Sequence, residues 1–242
     1  MLFVLVVLGA ALFGGGVAAV AGFGIGSLLT PALALRTGTK LAVAAVAIPH
    51  FVGTAVRFWM LREHVDRRVL AGFGIASAIG GLAGALAHTR ASSGTLGIVF
   101  GTLLVLAALS EFTGWMARVR WGHRSAWVAG VISGGFGGLV GNQGGTRAAA
   151  MLGFEVPKES FVATSTAVAL FVDAARLPVY VATEWRGIAG IWPLVLAATV
   201  GVVIGTALGT RVLGRMPERV FRRLVAGLLL ALGIYTIIAG VR

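Results

Sequence analysis

The 242-residue chain has no cysteine, so it can hold neither a disulfide nor a thiolate-bound metal. Acidic residues are also scarce, eight against twenty Lys and Arg. No pair of carboxylates falls inside an apolar run, and Gly-x-Ser-x-Gly and His-Glu-x-x-His are both missing. The glycine string at 22–26 lacks the strand context of a phosphate or dinucleotide loop. No enzyme signature therefore emerges, and no cofactor is expected. Nowhere is there a polar stretch long enough for an appended soluble domain. The N-terminus has no basic region ahead of its apolar run, so a cleaved signal peptide is not expected either.

What remains is overwhelmingly apolar. Hydrophobic residues make up 58% of the chain and mean hydropathy is +0.96, more than a soluble domain of this size needs. Runs of roughly 20 apolar residues cover most of it, the pattern of an all-α polytopic membrane protein. The net charge of +12 comes mainly from arginines in short loops. It reads as a set of topology determinants beside an anionic leaflet, with no nucleic-acid partner. Glycines recur at small-xxx-small spacing, as in Gly80/Gly84, Gly97/Gly101 and Gly201/Gly205/Gly209, which lets helices approach closely in lipid. Homodimerisation through such faces is plausible on the same ground. Trp59, Trp115, Trp121, Trp127, Trp185 and Trp192 mostly flank the runs, as interfacial anchors do.

The chain divides into 1–113, a polar linker 114–124 and 125–242. Each half opens on a long, nearly uncharged segment with a glycine-rich break: Gly22-Phe23-Gly24-Ile25-Gly26-Ser27 in the first and Gly141-Asn142-Gln143-Gly144-Gly145-Thr146-Arg147 in the second. Three spans follow in each: 40–60, 69–87 and 96–112, then 161–181, 188–213 and 220–239. Gly26, Ser27, Ala44 and Arg57 recur 119 residues later as Gly145, Thr146, Ala163 and Arg176. Further along, Gly80, Gly84 and Arg90 pair with Gly201, Gly205 and Arg211, and Gly101 with Gly227.

Loop charge discriminates between two topologies. If both opening segments cross fully, Lys and Arg divide nine against eight. If both are re-entrant hairpins, the division is twelve against five, with only Arg36, Lys40, Arg90, Arg186 and Arg242 on the poorer side. The second gives the asymmetry of natural membrane proteins. It makes the halves two inverted repeats, each a broken hairpin plus three transmembrane helices, with the breaks facing each other at mid-membrane.

A chain that turns inside a bilayer must bury its unpaired backbone groups in protein or line a wet cavity with them. Gly24, Gly26 and Gly145 allow the turns. Ser27 and Thr146 suit the N-caps of the returning helices. Two helix N-termini aimed inward would form an anion site, with Asn142 and Gln143 as neutral donors and Arg147 as a full charge. Asp173 and Arg176 share a helical face and either neutralise each other or serve the site, Asp173 holding an arginine or carrying a proton. Arg57 either serves the site or snorkels. His50 is either a proton relay or a packing residue. Thr54, Thr164, Ser165 and Thr166 either line the cavity or bond their own helix.

The motif Gly22-Phe-Gly-Ile-Gly-Ser-Leu-Leu-Thr-Pro31, its partner Gly141-Asn-Gln-Gly-Gly-Thr146 and the duplication resemble the TauE/SafE family of sulfite and organosulfonate exporters. The resemblance covers nearly the whole chain. It implies a bacterial inner-membrane protein that exports small sulfur-containing anions. A passive anion channel and a non-transporting membrane scaffold are the alternatives.

Overall fold

The computed structural model describes residues 2–115, 123–151, 154, 156–212 and 217–241, and among them there is helix and no strand. The long helices are α1 (Leu2–Ala21), α2 (Ile25–Leu61), α3 (Arg67–Arg90), α4 (Ser93–Thr113), α5 (His123–Val140), α6 (Gly144–Met151), α7 (Lys158–Gly190), α8 (Trp192–Val212) and α9 (Glu218–Val241). Among the described residues seven helices are long and apolar enough to cross a membrane; α5 is a shorter apolar helix. The outer faces stay apolar, with Leu82, Leu86, Ile204, Leu208, Ile234 and Ile238 exposed, as lipid requires. Trp59, Trp115, Trp127, Trp185 and Trp192 are exposed near helix ends, whereas Trp121 lies outside the described residues, as does most of the 114–124 linker.

Several boundaries differ from the sequence reading. The first returning arm and the next span form one helix, α2, kinked at Gly38, whose φ of 75° suits glycine. The span expected over 161–181 runs from Lys158 to Gly190, so Arg186 sits within a helix and not in a loop. Its charged residues Glu184 and Arg186 masked the apolar period at that end. His88, expected at a loop, is fully buried in α3.

Both opening segments are broken and fold back. Ile25 and Gly24 pack beside Gly14 and Val17, and the Arg36 guanidinium lies 4.5 Å over the Phe3 ring. In the second half Thr146 bonds Ser133 at 3.0 Å, and Gln143 packs on Gly137. Each hairpin therefore returns to the end of the bundle where it began.

Contacts between loops sort those ends. Lys40 Nζ donates to Thr89 O at 2.8 Å and lies 3.9 Å from Glu184. Gly94 packs on Gly240. This gathers residues near Phe3, Arg36, Lys40, Thr89, Glu184 and Gly240 at one end. Asp66 bonds Thr164 at 2.8 Å, and Glu111 pairs with Arg222, at the other.

Packing crosses between the halves. Helix α1 packs against α8, and its counterpart α5 against α3. Gly205 meets the backbone of Leu12 just as Gly84 meets that of Gly135; at either glycine a side chain would collide with backbone. Gly101 is similarly tight against Gly233, but Gly227 has open space around it, so the Gly101/Gly227 pairing finds no shared environment.

Candidate functional site

The two hairpin tips meet. The Ser27 hydroxyl lies 3.3 Å from Asn142 Oδ1, a β-carbon on Gly26 would lie 2.6 Å from Gly141 O, and Gly144 abuts Phe23. The turns use Gly22 (φ 80°) and Gly141 (φ 75°), again 119 residues apart. The tips lie level with His50–Arg57 in the C-terminal part of α2 and with Asp173–Arg176 midway along α7.

Between them is a cavity of about 20 Å³, room for about one water. Of the residues expected at the site, Gly24, Gly26, Ser27, His50, Arg57, Asn142, Gln143 and Arg147 line it. Ala18, Phe23 and Gly144 line it too. Thr54, Thr146, Thr166, Asp173 and Arg176 stand outside that lining, and the surroundings of Gly145 lie outside what the structure describes.

Two expected roles are overturned. Ser27 and Thr146 are not N-caps. Helix α2 starts at Ile25 with Gly24 in the cap position and no side-chain cap. Ser27 is thus already inside the first turn, turned toward Asn142. Helix α6 starts at Gly144, and Thr146 sits inside it, its hydroxyl donating to Gln143 O at 3.0 Å and lying 3.0 Å from the Ser133 hydroxyl. The hydroxyls came too late in the chain because glycine itself makes the turn. The first-turn N–H groups of both helices, residues 25–27 and 144–146, therefore have no partner within their helices.

The arginines divide by function. Arg57 donates to Thr166 Oγ1 at 3.0 Å, to Ala18 O at 2.5 Å and to Gly22 O at 3.2 Å. Far from snorkelling, it is buried and closes the C-terminal end of α1. Arg176 does the same for α5, donating to Gly137 O at 2.8 Å, the carbonyl 119 residues beyond Ala18. Tyr180 donates to Gly138 O, and His88 Nδ1 lies 2.8 Å from Leu139 O. Three successive carbonyls at the broken end of α5 are thus satisfied by side chains, as a helix end away from water demands. Sequence reading missed Tyr180 and His88. Tyr180 is one of only two tyrosines and sits one helical turn after Arg176, which is the signal that would have found it.

Arg176 also pairs with Asp173, at 3.0 Å and 2.8 Å to Oδ1. The other carboxylate oxygen lies 2.6 Å from His50 Nδ1, joining the halves. Thr54 reaches His50 Nδ1 at 3.4 Å, Thr166 also bonds Val162 O, and Thr164 accepts from Asp66.

Arg147 is different. Its Nε donates to Ser165 at 2.9 Å. The side chain is only 3% exposed, yet Nη1 has no partner among the described residues, and Arg147 makes no ion pair there. Gln143 Oε1 is likewise buried and unpartnered. Among the described residues Arg57, Arg147 and Arg176 stand against Asp173 alone, so the buried centre they form carries two uncompensated positive charges when His50 is neutral.

A family model, sulfite exporter TauE/SafE, matches residues 7–236. The chain belongs to that family. No curated protein matches this chain. No solved structure matches it either. As a TauE/SafE member with seven candidate spans it is a multi-pass membrane protein of a transporter family.

Proposed function

We propose that this TauE/SafE protein is a secondary transporter that exports a small sulfur-containing anion, namely sulfite, sulfoacetate or a related organosulfonate, across the bacterial inner membrane. The observation that carries this reading is Arg147: a buried guanidinium with an unpartnered nitrogen, lining a cavity flanked by two helix starts. A lone charge in that position is costly, and an oxyanion would offset it. Free first-turn N–H groups and the Ser27 hydroxyl supply further donors.

Alternating access is supported by the cross-packed halves. Equivalent contacts join α1 to α8 and α5 to α3. Helix α1 starts beside Arg36, whereas α5 starts beside Gly72, toward the Asp66 end, which supports an inverted arrangement of the two hairpins. A water-sized cavity cannot hold a sulfur oxyanion, so the tips must part to load it. An inside-negative potential drives an anion outward by roughly 2.3 kcal/mol per charge per 100 mV, so export needs no nucleotide. In this reading the protein is a carrier and not an enzyme.

Thermal stabilisation of purified protein by sulfite, sulfoacetate, taurine, sulfate and chloride tests the site. Saturating ligand at 100 times Kd adds about 2.7 kcal/mol. A sulfur anion should stabilise the wild type while chloride does not, and Arg147→Ala should erase the effect. Equal stabilisation of Arg147→Ala would remove the site from this position. Flux into vesicles that rises linearly without saturation would point to a channel instead.

A further inference from the structure

His50 is fixed on one edge and open on the other. Nδ1 is held at 2.6 Å by Asp173, itself completely buried and gripped by Arg176. The opposite edge faces the cavity: Cδ2 lies 3.8 Å from where a β-carbon on Gly26 would sit. Nε2, bonded to Cδ2, is on that edge and has no hydrogen-bond partner among the described residues. The charged groups around it are Asp173 and Arg176 on α7, Arg57 on α2 and Arg147 on α6.

A proton on Nε2 would raise the net buried charge from two to three, one carboxylate standing against three guanidiniums and an imidazolium. Asp173 supports that charge and the arginines oppose it. A negative ion between the tips shifts the balance, because it neutralises the arginines and accepts a hydrogen bond from Nε2–H.

We propose that filling the anion site places a proton on His50 Nε2, so that this protein binds an anion and a proton together. This rests on the anion site proposed above. The proton comes from water onto the imidazole lone pair; no other bond changes. Linkage is reciprocal, so lower pH tightens anion binding as much as the anion favours the proton. A dianion carried with one proton still moves one negative charge, and transport keeps its dependence on membrane potential.

Isothermal titration of the full chain in detergent tests the proposal. Sulfoacetate is a suitable probe because both its acid groups stay ionised near neutral pH. Titrations in buffers of different ionisation enthalpy should give a slope corresponding to uptake of up to about one proton per anion. His50→Gln should bind more weakly and with no slope. The wild-type imidazole nitrogen signals provide an independent reading, one histidine passing from neutral to protonated as sulfoacetate is added. Binding without proton uptake in the wild type, or a slope that survives in His50→Gln, overturns the inference. Absence of any binding heat with sulfoacetate or sulfite overturns the anion site first, and this inference with it.

Discussion

At the scale of single residues, three buried arginines divide between two accounts. Arg57 and Arg176 belong to backbone: each occupies carbonyls at a helix end that water would otherwise satisfy. Removing either leaves buried acceptors orphaned, and Arg176→Met also strips Asp173 of its arginine, leaving it only His50, a loss of about 3–5 kcal/mol. Arg147 lacks such a duty at Nη1. Arg147→Met should therefore raise the anion-free thermal midpoint while abolishing the response to sulfite, since an apolar side chain of similar size removes an unpaired charge. A lower midpoint would mean that Arg147 is structural. Tyr180→Phe tests the helix-end account separately: it orphans Gly138 O and should cost about 1–3 kcal/mol, with the anion-dependent shift retained because Tyr180 stands outside the cavity.

At the scale of elements, the two breaks use the same device at Gly22 and Gly141 but differ in surroundings. A β-carbon at Gly22 meets nothing, whereas one at Gly141 comes within 3.1 Å of Arg176 Nη1. Gly22→Ala should cost only the backbone term, roughly 1–2 kcal/mol. Gly141→Ala should cost more, because Arg176 must shift from its carbonyl; equal midpoints for the two variants would contradict the structure. The breaks were legible in the sequence because glycine and amide residues interrupt an otherwise apolar run. The capping roles of Ser27 and Thr146 were misread because the helix start depends on where glycine turns the chain, and a hydroxyl nearby does not fix it. The Gly38 kink is not legible in the sequence, since a single glycine in an apolar stretch has no signature of its own.

At the scale of the whole molecule, the halves touch where motion would separate them. Ser27 and Asn142 are 3.3 Å apart on opposite tips, and the chain has no native cysteine. The double substitution Ser27→Cys with Asn142→Cys should cross-link on oxidation. If the tips must part, sulfite flux in vesicles made with this variant falls to background when oxidised and returns on reduction. Undiminished flux in the cross-linked form would exclude movement at this seam. The loop-charge count of twelve against five also belongs to this scale. The contacts Lys40–Glu184 and Glu111–Arg222 join residues that the fully crossing topology would put on opposite sides.

The sequence by itself determined the membrane class and the two breaks, because apolar length and glycine content are properties of the chain read locally. Tertiary structure alone decided what each buried charge is for. His50 and Asp173 are 123 residues apart, and Arg147 meets Ser165 across a helix connection. In a medium without water a polar atom is satisfied only by another part of the protein, so its role is fixed by which helices pack together.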